Sequence, residues 1–335
     1  MTTAELARLG VELGLDAVGA APASPYADTE RHIRERKGRG LFAGMGFTTR
    51  RPEISCHPEA LLPGARTVVS AALCYYVPAP EAEAGEGSLA RYTWSDRYAD
   101  LHERLDALGR RLGGSYRVLV DDNDHVDREG AVRAGVAFYG KNTLAITRRY
   151  GSWVVLGTLV TDVELEASEP LDAGCGSCTL CIDACPTAAL DEPGTLDSTR
   201  CLSYWTQAPA AIPEDFRAEL GASVYGCDIC QEVCPWNRGI EKRRAGLALE
   251  PDAEPAVSLR EWLEADGDEL VRRYDRLYVP RNDARWLRRN ALVAAGNVSG
   301  AAERDAVERY ADGHDELLRE HAEWALARID ERSGA

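Results

Sequence analysis

The chain has 335 residues, 45% of them hydrophobic and 28% charged, which is ordinary for a globular protein of two or three modules. It contains no run of about 18 apolar residues and begins without the regions of a signal peptide, so neither a membrane span nor export is expected. A reducing, cytoplasmic location would keep its 10 cysteines free of disulfides. The net charge of −16 argues against non-specific binding to nucleic acid, because phosphates would be repelled on average.

The first 165 residues predict a mixed α/β or α+β module. Helical periodicity covers residues 3–14 and 97–113, and apolar runs predict strands at 16–23, 67–77, 116–120 and 152–165, the last as one or two strands. Residues 80–88 are predicted to form a polar loop. The next segment, to about residue 245, is rich in Cys, Pro and Gly, so its cysteines are expected to organise it more than a hydrophobic core does.

The most informative motif is CGSCTLCIDACP at residues 175–186, with the spacing C-x2-C-x2-C-x3-C-P. In bacterial ferredoxins this spacing places three thiolates on one [4Fe–4S] cluster, while the fourth thiolate reaches the other cluster. A second set is therefore expected, and GCDICQEVCPWN at 226–237 supplies three cysteines, with Cys201 available to complete it. Cluster one is assigned Cys175, Cys178, Cys181 and Cys234, and cluster two is assigned Cys185, Cys201, Cys227 and Cys230.

Zinc is the alternative metal, because C-x2-C pairs also suit tetrahedral sites, but two C-x3-C-P endings favour iron–sulfur clusters. The remaining Cys56 and Cys74 are predicted to be packing residues.

Each of the two clusters carries one electron at a time, so the module before them is expected to hold the chemistry that receives those electrons. The stretch GVAFYGKN at 135–142 lacks the Ser or Thr of a phosphate-binding loop, and His125 is predicted to be a surface histidine.

Residues after 255 show helical periodicity, and LRRNALVAAGN (287–297) and LREHAEWALAR (318–328) share a similar spacing of Arg, Ala and Leu. This similarity indicates one stacked pair of helical-repeat units. Basic segments lie at 272–289 and 31–40, and each is either a solvated face or a local patch for a polyanion. The arginines of the first are Arg272, Arg273, Arg276, Arg281, Arg285, Arg288 and Arg289.

Several segments together resemble the epoxyqueuosine reductase family. They are VDDNDHVDREGAVRAGVAFYGKNTLAI at 120–146, CGSCTLCIDACPTAAL at 175–190, CLSYWTQ at 201–207 and GCDICQEVCPWN at 226–237. LPGARTVVSAALCYY, ARYTWSDRYADLHERL and RRNALVAAGN also fit, so the similarity spans nearly the whole chain. The ferredoxin pattern alone is not specific to this family, whereas its combination with the 120–146 block is.

The resemblance implies an α+β protein with three modules. Residues 1–165 would form a cobalamin-binding module like that of reductive dehalogenases, and residues 166–245 would form a ferredoxin-like module with two [4Fe–4S] clusters. Residues 246–335 would form a helical-repeat, HEAT-like tail that helps to hold tRNA. A monomer that receives electrons from an external low-potential donor is expected.

The implied reaction is the two-electron reduction of epoxyqueuosine to queuosine at the wobble position of tRNA, in the anticodon stem-loop. The clusters would reduce cobalamin to its Co(I) form, and an acid would protonate the oxygen as the ring opens. The family's proton donor aligns with Asp121, which follows the strand YRVLV. The corrin is expected to be lined by Lys141, Asn142, Thr143 and Leu144, and also by Ser203.

Two other functions stay open at this point. One is a cobalamin and iron–sulfur reductase that acts on a small epoxide or organohalide without RNA. The other is a non-catalytic electron carrier. The basic segment 272–289 favours tRNA, since an acidic protein needs such a patch to bind a polyanion, and Tyr278 and Trp286 nearby could stack on bases. Core packing is the commoner use of both aromatic residues.

Overall fold

The computed structural model describes residues 1–122, 124–300 and 302–333. The strands are β1 Ala17–Pro22, β2 Thr67–Cys74, β3 Glu86–Leu89, β4 Tyr116–Val120, β5 Phe138–Tyr139, β6 Ala145–Ile146, β7 Val154–Thr161, β8 Ser223–Tyr225 and β9 Ala256–Ser258. The helices up to the cysteine segment are α1 Thr3–Glu12, α2 Ala27–Gly38, α3 Pro52–Ser55, α4 Pro58–Leu61, α5 Arg97–Leu112 and α6 Asp127–Arg133.

The later helices follow in chain order. They are α7 Leu180–Asp183, α8 Leu202–Gln207, α9 Glu214–Arg217, α10 Ile229–Glu232, α11 Arg238–Arg243, α12 Leu259–Glu264, α13 Gly267–Arg273, α14 Arg285–Val298, α15 Arg304–Ala311 and α16 Glu316–Ser333. None of these helices, within the residues described, is both long enough and apolar enough to cross a membrane.

The main sheet has the strand order β1-β2-β7-β4, and every neighbouring pair is antiparallel. Strand β2 is buried along its whole length, as its continuous apolar run predicts. Helix α5 packs on β7 with Leu101, Leu105 and Leu108 fully buried, a spacing that places all three on one helical face. The predicted α+β class is confirmed, and residues 152–165 contain one strand.

A second sheet joins distant parts of the chain in the order β8-β3-β9. Strand β3 pairs in parallel with β8, beside the second cysteine motif, and antiparallel with β9 from the helical tail. The prediction that residues 80–88 form only a loop is therefore wrong at its end, since β3 begins at Glu86. The division into modules 1–165, 166–245 and 246–335 stays a prediction.

The tail packs around its own hydrophobic core. Helices α14 and α16, which carry the two similar sequences, lie against each other, and α15 packs on α16. Gly296 permits this close approach, because a Cβ there would lie 2.6 Å from Cζ3 of Trp324. Trp262 and Leu287 are buried in this core, which also receives Leu89 from β3 and Tyr225 from β8.

Candidate active site

The first cysteine set surrounds one cavity. Cys175, Cys178, Cys181 and Cys234 line a space of about 180 Å³ together with Lys141 and Asn142, and Pro235 and Trp236 complete its wall. Cys175 and Cys178 lie in the loop before α7 and Cys181 lies in α7, whereas Cys234 lies beyond α10, at the end of the second motif. The cavity thus contains the four side chains that the spacing assigned to cluster one. Across residues 1–122, 124–300 and 302–333, no group of three or more His, Cys, Asp or Glu side chains is close enough together to hold a single metal ion.

Three cysteines of the second set, Cys201, Cys227 and Cys230, have raised thiol pKa values. Burial raises the pKa of Cys227 to about 12, and the nearby Cys201 and Cys185 sulfurs contribute to the rise. Burial also raises the pKa of Cys230 well above its usual value, with Cys227 and Cys201 adding to it. The four cysteines assigned to cluster two are thus neighbours, and a bound metal would favour their thiolate forms. All ten cysteines are free.

Backbone N–H groups point at several of the sulfurs. Lys141 donates its backbone N–H to Cys175 Sγ at 3.5 Å, and Ala189 donates to Cys185 Sγ at 3.3 Å. Burial raises the pKa of Cys201, and the N–H groups of Tyr204 and Ser203 oppose that rise. Hydrogen bonds of this kind stabilise negative charge on cluster sulfurs and tune reduction potentials. Ser203, predicted to line a corrin, therefore lies beside a cysteine of the second set.

A buried polar network fixes the second motif to the end of the main sheet. Asn237 accepts a hydrogen bond from the Ser152 N–H at 2.7 Å and donates to the carbonyl of Gln231 at 2.8 Å. Gln231 also accepts hydrogen bonds from Tyr75 and from Ser152, both at 3.1 Å. Gly151 lies in the left-handed region, and a Cβ there would meet Asn237 Oδ1 at 1.9 Å, so only glycine fits. The cysteines are consequently held in a rigid relation to the sheet.

The Gly140–Leu144 turn connects both cysteine sets with α6, the helix after the loop that follows β4. Lys141 Nζ donates to the Cys178 carbonyl at 2.9 Å, and Asn142 Nδ2 donates to the Cys230 carbonyl at 3.4 Å. On its other side, the Thr143 carbonyl accepts a hydrogen bond from Arg128 Nη1 at 3.3 Å. Thr143 has φ 66°, a strained value for a β-branched residue. Of the predicted corrin-lining turn, Lys141 and Asn142 contact the cysteine segment.

Asp121 is the first residue after β4, and its side chain is exposed. It has φ 51°, a left-handed conformation that aspartate tolerates better than most residues but that still costs free energy. Partial desolvation by surrounding protein raises the pKa of Asp121 to about 6, and the nearby carboxylates of Asp127 and Asp122 add to the rise. A solvent-accessible carboxyl with this pKa can hold and release a proton near neutral pH.

Three tyrosines lie around this carboxyl. Burial is the main cause that raises the pKa values of Tyr92, Tyr98 and Tyr225. The negative charge of Asp121 adds to the rise in each of them. Sequence reasoning missed these residues, since they come from the 3-10 turn Arg91–Thr93 after β3, from α5 and from β8. It also missed Asp127, although that residue lies in the same block as Asp121. The tyrosines stay protonated and neutral, and they limit the solvation of an ionised Asp121.

His125 is buried, so the prediction of a surface histidine is wrong. Its side chain is 1% exposed, its ring lies 5.6 Å from that of Tyr26, and burial lowers its pKa to about 3. Neither ring nitrogen has a hydrogen-bond partner within the described part of the chain, and the same holds for the nearby hydroxyls of Tyr26 and Ser70. The loop that carries Asp121 is therefore anchored by an inward-facing, neutral imidazole.

The basic segment 272–289 is largely used inside the protein. Arg289 is fully buried and donates to the carbonyls of Ala208 at 2.6 Å and Trp205 at 2.7 Å, and burial lowers its pKa to about 9. Arg273, Arg276 and Arg285 form ion pairs with Glu254, Glu254 and Asp315, at 3.0, 2.8 and 2.7 Å, and Arg288 donates to the Ala265 carbonyl. The segment is therefore neither a continuous solvated face nor a patch in which all seven arginines are available to a polyanion.

The remaining predictions concern side chains outside the two cluster-ligand sets. Trp286 packs, half-buried, against the core of the tail, as the packing alternative predicted, whereas Tyr278 is 49% exposed. Cys56 and Cys74 are buried, at 0% and 4% exposure, which confirms that they are packing residues. The second basic segment, 31–40, lies mainly on α2 and forms exposed ion pairs, such as Arg39 with Glu192 at 2.6 Å.

Comparison with known proteins agrees with this arrangement. A family profile described as a 4Fe-4S double cluster binding domain matches residues 174–237, and these contain both cysteine sets. Fold and site together define an oxidoreductase that carries two [4Fe–4S] clusters. A second profile, described as epoxyqueuosine reductase QueG, DUF1730, matches residues 56–122.

Full-length relatives then identify the family. The epoxyqueuosine reductase of Lactococcus garvieae is 32% identical over 98% of this chain and 96% of its own length. A crystal structure of an epoxyqueuosine reductase with an epoxyqueuosine-modified tRNA-Tyr stem loop matches with a TM-score of 0.87 and 30% identity, covering 98% of this chain and 90% of that one. The chain belongs to the epoxyqueuosine reductase family.

One related structure was solved in a different state. It is a Bacillus subtilis epoxyqueuosine reductase in which the aspartate catalytic loop is swung out of the active site. It matches with a TM-score of 0.79 and 26% identity, covering 97% of this chain and 98% of that one.

Proposed function

We propose that this protein reduces epoxyqueuosine to queuosine in tRNA, at the wobble position of the anticodon stem-loop. Two electrons and two protons remove the epoxide oxygen as water, and an external low-potential donor supplies the electrons. Membership of the family and the stem loop bound to a relative support this substrate. The cytoplasm is the proposed location, since thiols stay reduced there.

One observation of the structure carries this proposal. The Gly140–Leu144 turn contacts the first cysteine set through Lys141 and the second set through Asn142, and Thr143 binds Arg128 near the Asp121 loop. A single turn of five residues thereby contacts both cysteine sets and α6, the helix that follows the loop of the candidate acid. A plain electron carrier has no use for such an acid.

The ligand sets are proposed as the spacing assigned them. The first cluster would be held by the four cysteines around the 180 Å³ cavity, and the second by Cys185, Cys201, Cys227 and Cys230. Lys141 and Asn142 would touch the outside of the cluster ligands, where N–H donors and positive charge stabilise the reduced state. Fewer than about eight iron atoms per chain after anaerobic reconstitution would contradict two four-iron clusters.

Cobalamin is proposed as the third cofactor. The residues present fit a corrinoid, because the Lys141–Leu144 turn and Ser203 offer backbone groups and short polar side chains of the kind that corrin amides bind, and Asp121 is exposed. The clusters would supply electrons one at a time. A bound corrinoid, once reduced, would supply a cobalt centre that is a strong nucleophile or electron donor. Thr143 and Leu144 would orient the group through the strained turn.

Asp121 is proposed as the proton donor. Its raised pKa keeps part of the population protonated near neutral pH, and the surrounding tyrosine hydroxyls would exclude bulk water once substrate covers the site. The protonated carboxyl would give its proton to the epoxide oxygen as the C–O bond breaks, and it would then be reprotonated from solvent. The loop of the Bacillus subtilis relative, which can leave the active site, supports a mobile acid.

The proposal is tested by an anaerobic assay of the reconstituted protein, with cobalamin and a chemical reductant, on tRNA that contains epoxyqueuosine. Mass analysis of the nucleosides should show queuosine replacing epoxyqueuosine at a rate proportional to enzyme. Turnover of a small epoxide or organohalide without turnover of tRNA would instead identify a reductase of small molecules. A protein that takes up iron but neither binds cobalamin nor converts any substrate would be an electron carrier.

A further inference from the structure

Two exposed aromatic side chains form a pair on the surface. Phe47 is 39% exposed and Tyr278 is 49% exposed, and their rings meet edge to face with centroids 5.5 Å apart. They are 231 positions apart in sequence, so the fold alone brings them together. Large aromatic side chains are usually placed inside, and an exposed pair with open ring faces is a typical contact surface.

The pair lies beside the Asp121 loop. Tyr225, one of the tyrosines around Asp121, donates its hydroxyl to the backbone carbonyl of Tyr278 at 3.0 Å. On the other side, Arg51 binds Asp124 at 2.7 Å and thereby ties the segment after Phe47 to the loop after Asp121. Tyr278 is therefore connected to the candidate acid through Tyr225, and Phe47 lies four residues before Arg51, which binds the loop three residues after Asp121.

Arginines without protein partners lie close to the pair in sequence, Arg50 three residues after Phe47 and Arg281 three residues after Tyr278. The side chains of Arg50, Arg272 and Arg281 are exposed and have neither a hydrogen bond nor an ion pair within residues 1–122, 124–300 and 302–333. Arg281 also has φ 57° and its neighbour Asn282 has φ 52°, so the backbone is held in a costly conformation close to Tyr278. On a chain with a net charge of −16, unpaired arginines beside exposed rings favour an anionic, aromatic ligand.

We propose that Phe47 and Tyr278 form a stacking site for an unpaired nucleobase of the tRNA loop, next to the modified nucleotide. Arg50 and Arg281 neutralise the flanking phosphates. Single-stranded RNA is recognised in this way, with splayed bases on aromatic faces and basic side chains along the backbone. The inference rests on the proposed function, and it names the residues that hold the substrate in front of Asp121.

The test uses a stem-loop with 2-aminopurine beside the wobble position and the reconstituted holoenzyme. Stacking on the protein should change the 2-aminopurine fluorescence, and Tyr278→Ala should remove the change and weaken binding about 5- to 100-fold. Tyr278→Phe and Phe47→Tyr keep a ring and should restore both. Leu247→Ala, an exposed apolar residue elsewhere, is the matched control and should bind like the native protein.

Salt dependence separates stacking from charge. Tyr278→Ala should leave the slope of log affinity against log salt unchanged, whereas Arg281→Gln should reduce that slope by about one. If the native protein binds and converts tRNA but Tyr278→Ala and Phe47→Ala bind equally well, the stacking site is wrong while the proposed function stands. If the native protein binds no tRNA, both are wrong. If Tyr278→Ala and Phe47→Ala bind tRNA normally but their clusters are reduced more slowly by a protein electron donor, the pair is a protein-docking surface and the inference is overturned.

Discussion

The cysteine segment 174–237 and the arginine segment 272–289 are both conspicuous in the sequence, yet the structure uses them differently. The spacing of the cysteines matches their grouping in space, since one cavity contains Cys175, Cys178, Cys181 and Cys234. The arginines, all of one charge, separate into buried, paired and unpartnered side chains. Ligand spacing is a local geometric constraint, whereas the use of a charge depends on partners far away in sequence.

The largest effect should come from a cysteine of the second set. Cys201→Ala is expected to remove one cluster and all reductase activity, because the transfer of electrons is interrupted, so iron should fall from about eight to about four atoms per chain. Iron analysis and electron paramagnetic resonance of the reduced protein measure this. Cys74→Ala, which alters a buried packing residue, should keep both clusters. Retention of both clusters in Cys201→Ala would refute the ligand assignment.

Asp121→Asn should lower the rate of the chemical step about 10²- to 10⁴-fold, since an amide cannot donate the proton. Both clusters, cobalamin and tRNA affinity should be retained, and stability at pH 7 should not fall, because the fold disfavours the ionised carboxylate. Single-turnover kinetics on epoxyqueuosine-containing tRNA measure the rate. Asp122→Asn is the matched control and should remain active. Full activity of Asp121→Asn would mean that another group is the acid.

The pH dependence gives an independent view of the same residue. The pKa of Asp121 is raised to about 6, so its carboxyl is protonated below that pH and ionised above it. Because the protonated form is the donor, the single-turnover rate should fall as the pH rises through this range. The residual rate of Asp121→Asn should lack this step. An equal decline in both proteins would assign the titration to another group.

The arginine segment gives the smallest effect and sharpens the comparison. Arg289→Met should lower the free energy of unfolding by about 2–4 kcal/mol, because it leaves the carbonyls of Trp205, Ala208 and Ala210 without their donor. Arg272→Met, an exposed and unpartnered position, should change it by less than about 0.5 kcal/mol. Thermal unfolding of both variants with intact clusters measures the difference. Equal stability of the two would mean that the buried arginine is not a structural link.

Much of the fold near the site could be predicted from local patterns. Strands β1, β2, β4 and β7 follow from apolar runs, and α5 follows from its amphipathic spacing. Strand β3 was missed because EGSL has no apolar run, and its partners β8 and β9 lie more than 100 residues away. His125 was missed for a related reason, since an acidic loop sequence gives no sign that Tyr26 and Ser70 enclose the ring.

The sequence by itself determined that eight cysteines in two ferredoxin-type sets organise residues 174–237, because cluster ligation requires particular thiols at short, fixed spacings. It also located Asp121 at the end of a strand. Only the tertiary structure decided which tyrosines and carboxylates surround that acid, which arginines are left without partners, and that Phe47 meets Tyr278. Burial, pKa and charge pairing all depend on neighbours that distant segments supply, and no local pattern encodes them.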